Sequence, residues 1–309
     1  MFFCFKVFIN NKCVYEDLIT VDGMCEFEAI DILLNDIEFW DIDNPKLYYI
    51  TVKFGDKDLT DRIGFRKIEC QGKNIFLNGK KLILTGVCRH EQHPDWGFSM
   101  PFELIKKDID IIRELNCNTI RGSHYPNTKK TLDYCDEVGM LFWEEIPMWG
   151  NRKEWEKSFK NEDFINKAMT MHKEMIKRDL NHPSIILWGL HNEVDTTLPQ
   201  TRVLTERLVS FIRDMDKSRL VTFASNRIKP DQPGDICLDL VDVVSFNYYT
   251  AWYYNSREES FERFVKRTRK YVNSNAGEKP IIMSEFGGGA IKGVTTFEGQ
   301  RWTENYQEA

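Results

Sequence analysis

The sequence predicts an α/β protein built on a (β/α)8 TIM barrel that lacks its last strand, preceded by a small, incomplete antiparallel β-sandwich. Three observations predict it. From Leu82 onward, seven short apolar runs alternate with stretches whose apolar residues recur three and four apart, the pattern of strands and helices in turn. Most of those runs end in charged or amide side chains, which a barrel of parallel strands gathers at its C-terminal mouth. Upstream of about residue 70 the texture differs: β-rich runs follow one another between turn signals, with no helical period among them.

The upstream runs are "FCFKVFIN", "MCEFEAIDI" and "KLYYITVKFG", separated by "NNK", "DIDNP" and "GDKD". They describe most of a small sandwich over residues 1–70, with the barrel taking 71–309. "NIFLNGKKLILTG" then reads as a hairpin turning on Asn78-Gly79. The barrel strands are "LILTGV", "TIRGSHY", "LFWEEIP", "SIILWGLHNE", "LVTFAS", "VVSFNYY" and "PIIMSEFG". Helical patterns such as "PFELIKKDIDIIRELN" and "TRVLTERLVSFIRDMD" lie between most of them. After "SEFGGG" come a loop and "GQRWTENYQEA", read as the start of a seventh helix. Closure needs an eighth strand to remove two raw sheet edges. The expectation is a chain truncated at its C-terminus, with a homo-oligomer or another chain as the alternative means of closure.

Composition narrows the function. Apolar content of 42% with 13% aromatics supports a packed core and argues against disorder. A net charge of −6, with no basic stripe among aromatics, gives nucleic acid no footprint. "MFFCFKVF" is short, is interrupted by Lys6 and lacks the form of a signal peptide. No later run is long enough to span a bilayer. The eight cysteines contain no CxxC pair and no metal spacing, so they read as buried free thiols, with a cytoplasmic location following from that.

The chemistry sits in the strand tips. "SIILWGLHNEV" buries itself like a strand covered on both faces and then finishes on His191, Asn192 and Glu193. The first strand ends in Arg89, His90 and Glu91, and the second carries Arg121, Ser123, His124 and Tyr125. The third ends in Glu144 and Glu145, the sixth in Asn247 and Tyr249, and the seventh in Glu285. One polar tip is ordinarily a solvated cap; six at one mouth are not. Glu193 and Glu285 stand across that mouth as the pair that glycoside hydrolysis requires, one attacking the sugar or activating water and the other protonating the leaving oxygen. Arg121 near Glu285 would keep the nucleophile ionised, and Asn192 would grip the sugar's 2-hydroxyl. Taken singly, either Glu reads equally as a structural ion pair. Trp149, Trp188 and Trp252 are candidates for a wall that stacks on a pyranose face, or for core packing.

Four blocks carry a family resemblance: "LNGKKLILTGVCRHEQHPDWG", "IRGSHYPN", "NHPSIILWGLHNEVDT" and "PIIMSEFG", in that order. With "WDIDNPKLYYI" and "RIGFRKIE" before them, they make the chain similar to glycoside hydrolase family 2, the β-galactosidases and β-glucuronidases. The resemblance implies that the upstream sandwich is immunoglobulin-like. It implies Glu193 as acid/base and Glu285 as nucleophile of a retaining exo-β-glycosidase. Asn192, His90, His124 and Tyr249 are carried over as sugar-binding or nucleophile-supporting residues, with Tyr253 beside the nucleophile; Arg121 and Asn247 complete the set. No cofactor is implied. Large β-galactosidases of the family carry a Glu-x-His magnesium motif after strand three, and "EEIPMWG" has no histidine there. "NEVDT", "FNYYTAWY" and "WTENYQEA" resemble the β-glucuronidase branch, whereas "RHEQHPDWG" resembles the galactosidase version. The expected partner is a small carbohydrate or glycoconjugate, a glucuronide ahead of a galactoside. The family's N-terminal jelly roll is missing, so an unclosed internal portion with weak or no activity is the expectation.

Three other readings remain. An endo-acting barrel cellulase or mannanase shares glutamates on strands four and seven, without "RHEQHP" or the upstream β-domain. A non-catalytic sugar-binding fragment would fit the shortened chain. His90 and His93 could suggest a metal hydrolase, but no clear carboxylate bridges them and Pro94 follows.

Overall fold

Seven parallel strands curve into an open barrel, each delivered by the alternation of apolar and amphipathic runs. The structure is a computed structural model, and it describes residues 2–20, 31–150, 157–227, 234–249, 252–253, 261–296 and 300–308. Four strands come first: β1 (Phe2–Ile9), β2 (Lys12–Thr20), β3 (Tyr48–Phe54) and β4 (Lys57–Ile63), in one antiparallel sheet of order β2-β1-β3-β4. The incomplete sandwich therefore takes the form of a single four-stranded layer among the described residues. Most of "MCEFEAIDI" lies outside them.

A three-stranded sheet follows, made of β5 (Ile68–Gln71), β6 (Asn74–Leu77) and β7 (Lys80–Leu82). The β6–β7 hairpin turns on Asn78 and Gly79, whose φ values of 51° and 78° are the left-handed pair a two-residue turn demands. Leu82 thus belongs to this hairpin, and the first barrel strand starts only at Gly86.

The barrel strands are β8 (Gly86–Arg89), β9 (Thr119–Gly122), β10 (Leu141–Glu145), β11 (Ile185–Asn192), β12 (Leu220–Ser225), β13 (Val244–Asn247) and β14 (Ile281–Glu285), paired strictly in sequence order. Helices α1 (Phe102–Glu114), α2 (Lys129–Val138), α3 (Glu162–Asp179), α4 (Pro199–Met215) and α5 (Phe261–Ala276) connect them, and α6 (Glu304–Glu308) follows the last strand. Among the described residues, a short helical turn at Leu238–Leu240 stands between β12 and β13.

Residues of alternate parity face opposite layers. Phe142, Trp188 and Phe223 pack outward against helical residues such as Ile109, Leu132 and Leu208. Leu141, Trp143, Leu187 and Leu220 form a second cluster, plugged from below by Trp40, Ile68, Ile75 and Leu77. Arg66 fastens this lower end by donating to the carbonyls of Pro183, Ser218 and Ile185. No described strand joins β8 to β14. Across this gap the Cys88 thiol lies 3.0 Å from the Ser284 carbonyl oxygen.

The cysteines correct one expectation. The described cysteines are free, but only Cys135 and Cys237 are buried. Cys88 is exposed because it points into the open interior of the barrel with its register partner Arg121, and Cys13 lies on the edge strand β2. Among the described residues, no helix is long and apolar enough to cross a membrane.

Two histidines are sealed in the helical layer behind β11. His172 lies against the carbonyl oxygens of Ala168 and Gly189 at 2.9 and 3.3 Å, and burial pushes its pKa down to about 4. His191 stacks on Phe223 at 4.6 Å, and burial, then its histidine neighbour, pushes it down to about 3. Both are depressed bases, so the unfolded chain binds more protons below its own His pKa of about 6.5. Their contribution is complete above that pH and is lost on acidification, on the order of several kcal/mol in total. Urea unfolding between pH 7 and pH 4 should show this fall, and His191→Phe should flatten it. A variant whose stability falls as steeply as the parent's contradicts the assignment.

Candidate active site

Barrel alternation decides which tips reach the mouth. On β10, Glu145 points inward with Leu141 and Trp143, while Glu144 points outward and accepts from Arg178 and the Asn127 N–H. Burial, then the adjacent Asp179, holds the Glu144 carboxyl well above the usual carboxylate range. Arg89 and Glu91 are likewise spent on structure: Arg89 pairs with Asp108, and Glu91 accepts from the Thr131 hydroxyl at 2.6 Å.

β11 reaches the mouth through a bulge. Gly189 aligns with Thr222 and Asn192 with Ala224, so three steps on β11 match two on β12. Leu190 and His191 both turn to the helical layer, and Asn192 and Glu193 emerge at the mouth. Glu193 has φ 52°, a left-handed conformation that costs on the order of 1–3 kcal/mol in a non-glycine residue. Its N–H is pinned to the Ala224 carbonyl at 2.8 Å, and Asn192 is pinned to Met148 and Gly150. A second irregularity sets one step of β13 against two of β14, from Phe246–Met283 to Asn247–Glu285. It brings both Ser284 and Glu285 to bear on the site. Bulges of this kind re-aim side chains beside active sites.

One guanidinium joins these tips. Arg121 donates through Nε and Nη2 to both oxygens of Glu145, each at 3.1 Å. Its Nη1 reaches Glu285 Oε1 at 2.6 Å and its Nη2 reaches Asn192 Oδ1 at 2.8 Å. Its carbon centre rests 4.6 Å from the centroid of the Trp143 ring. The Tyr249 hydroxyl donates to the other Glu285 oxygen at 2.6 Å. Across the mouth, Asn247 Nδ2 donates to Glu193 Oε1 at 2.9 Å and to Asn192 Oδ1 at 3.1 Å, while Ser284 Oγ fixes the Asn247 amide from behind at 2.8 Å. Glu193 and Glu285 are thus connected through Asn247, Asn192 and Arg121 in turn.

The electrostatics follow from this packing. Burial opposes the Arg121 charge, but Glu145 and Glu285 outweigh it and hold its pKa above the usual guanidinium value. Burial also opposes the Glu145 charge, yet Arg121 and His124 keep its carboxyl below the usual range. Burial and then the Glu285 bond push the Tyr249 phenol up. Burial and then the neighbouring His124 push His90 down.

A cavity of about 830 Å³ opens on this network. Nine residues proposed from the sequence for catalysis or sugar binding line it: Glu193, Glu285, His90, Arg121, His124, Asn192, Asn247, Tyr249 and Tyr253. Tyr253 stands at the rim, 62% exposed, edge-on to Tyr249 at 5.0 Å. The three tryptophans separate. Trp149 lines the cavity and stacks on His124 at 5.5 Å. Trp188 is fully buried and donates to Asp216 in the helical layer, and Trp252 packs against Trp302 and Tyr306. Sequence reading placed Glu145 at a strand tip but not in the site. Its signal was there, as the residue of the "EE" pair that shares the parity of Trp143.

Among the described residues one trio lies within metal-binding reach, Asp133, Asp136 and His182, at the foot of the barrel. Its atoms are already engaged: His182 meets Asp136 at 2.6 Å and Arg62 meets Asp133 at 3.3 Å.

Residues 68–309 match the family model described as glycosyl hydrolases family 2, TIM barrel domain. A beta-galactosidase from Thermoanaerobacterium thermosulfurigenes is 41% identical over 200 residues, covering 60% of this chain and 26% of that protein. The mouse beta-glucuronidase is 31% identical over 249 residues, covering 80% and 37%. The crystal structure of a beta-galacturonidase from Eisenbergiella tayi bound to galacturonate superposes with a TM-score of 0.92 at 34% identity, covering 99% of this chain and 54% of that one. The chain therefore spans 26% and 37% of these two curated relatives.

Gly189 explains the glycine in the middle of a buried strand. A Cβ there would lie 2.4 Å from Trp143 Nε1 and 2.6 Å from Glu145 Cβ. Gly189→Ala should lower stability by about 1–3 kcal/mol through overpacking, measured by urea unfolding. An unchanged unfolding midpoint contradicts the packing described.

Proposed function

The chain belongs to glycosyl hydrolase family 2, and we propose that Glu285 and Glu193 hydrolyse a terminal β-glycoside by a retaining double displacement. The observation that carries this reading is the hydrogen-bonded path from Glu285 through Arg121, Asn192 and Asn247 to Glu193, along one cavity. Glu285, paired with Arg121, attacks the anomeric carbon and forms the glycosyl–enzyme bond. The leaving oxygen departs with a proton from Glu193. Glu193, now a carboxylate, takes a proton from water as that water attacks the same carbon, and Glu285 is released. Asn192 already accepts through its oxygen from Arg121 and Asn247, which turns its amide N–H groups to the sugar's 2-hydroxyl.

The sugar we propose is a β-uronide, with glucuronide the first candidate. Support comes from the relatives that match most of the chain, the mouse beta-glucuronidase and the galacturonate-bound beta-galacturonidase. A β-galactoside is the second reading, favoured by the 41% identity to a beta-galactosidase over 200 residues.

Leaving-group dependence tests the roles. Glu193→Gln should cost about 10²–10⁴-fold in kcat/KM on alkyl glycosides, which need protonation, and far less on activated aryl glycosides. Equal losses on both classes remove the acid role from Glu193. Glu285→Gln should abolish turnover of either class; residual parental activity removes the nucleophile role.

A further inference from the structure

Glu285 is bonded at both of its oxygens. Arg121 Nη1 and the Tyr249 hydroxyl each reach one of its oxygens at 2.6 Å. Bonds to the ionised form hold a carboxylate's pKa down, and a weaker base is a weaker nucleophile toward carbon. Something must take part of the Arg121 charge away. Glu145 does this geometrically: it is 1% exposed and engages the Nε–Nη2 edge of the same guanidinium side-on. It also accepts at 2.6 Å from His124 Nδ1, so the ring's other nitrogen faces Glu285 Oε1, 3.8 Å away.

We propose that Glu145 is a positioning residue that sets the basicity of Glu285, sharing Arg121 with it and fixing how Arg121 and His124 face it. The inference rests on Glu285 being the nucleophile proposed above. Glu145 touches no reacting atom; it acts through Arg121. Removing its charge leaves a whole guanidinium to one carboxylate and lowers the pKa of Glu285. The other titratable groups around Glu285 are Cys88 from β8, His90 just beyond it, Tyr249 from beyond β13 and Glu193 just beyond β11, all lining the same cavity. None of them bonds Arg121 among the described contacts, so none can replace Glu145.

The test is a carboxyl titration of the full chain by carbon-13 NMR, with glutamate side chains labelled and the Glu285 signal assigned by its loss in Glu285→Gln. In Glu145→Gln the Glu285 midpoint should fall by about one pH unit. Glu145→Asp keeps the charge but withdraws it by one carbon, and should lower the midpoint by less. An unchanged or raised midpoint in Glu145→Gln overturns the proposal, and if that variant does not fold, the same result in Glu145→Asp overturns it. No substrate enters the measurement. A lowered midpoint in a chain whose turnover survives Glu285→Gln would refute the nucleophile reading alone. Intact turnover with an unmoved midpoint would refute this proposal alone.

Discussion

One buried positive charge organises the mouth of this barrel. Arg121 is 4% exposed and holds Glu145 and Glu285, with Asn192 between them. A guanidinium suits that task because its planar fork offers five donors in fixed directions and stays charged when desolvated. Two carboxylates converging on one cation are stable only while the cation is there, since removing one partner of a buried pair strands the other. The site is therefore organised around a charge that has no reacting atom of its own. The chemistry is assigned to its neighbours.

Backbone irregularity delivers those neighbours. A regular strand would send alternate residues outward and leave either Asn192 or Glu193 facing the helices. The bulge on β11 and the extra step on β14 break that alternation where the strands end, so that Asn192 with Glu193, and Ser284 with Glu285, face the mouth together. The left-handed backbone at Glu193 is the local cost, held by an N–H bond to Ala224. Beneath the site, Trp143 and the glycine-made space beside it support Arg121 and Glu145 from the barrel axis.

Much of this was legible in the sequence because the signals were periodic. Seven apolar runs, six of them with polar tips, gave seven strands in order, and Asn78-Gly79 gave its hairpin. What stayed hidden depended on parity and contact across strands. Glu144 and Glu145 look alike in "WEEIP", yet one meets Arg178 outside the barrel and the other Arg121 inside it. Trp188 and Trp149 both looked like stacking platforms, and only register distinguishes a fully buried indole bonded to Asp216 from one on the cavity wall. Leu82 was read into the first barrel strand because its run is continuous, and pairing with Ile75 assigns it to the hairpin instead. Cysteine burial failed for a reason of parity: Cys88 lies on a strand pattern but points with Arg121 into the open cavity.

The central claim is that Glu285, paired with Arg121, is the side chain that bonds to the sugar. A 2-deoxy-2-fluoro-β-glycosyl fluoride slows both steps but leaves a good leaving group, so the covalent intermediate accumulates. Mass spectrometry of the digested protein should find one fluoroglycosyl group, on the peptide and residue of Glu285. A label on Glu193, or a protein that turns over the parent glycoside yet never takes the label, would contradict the account.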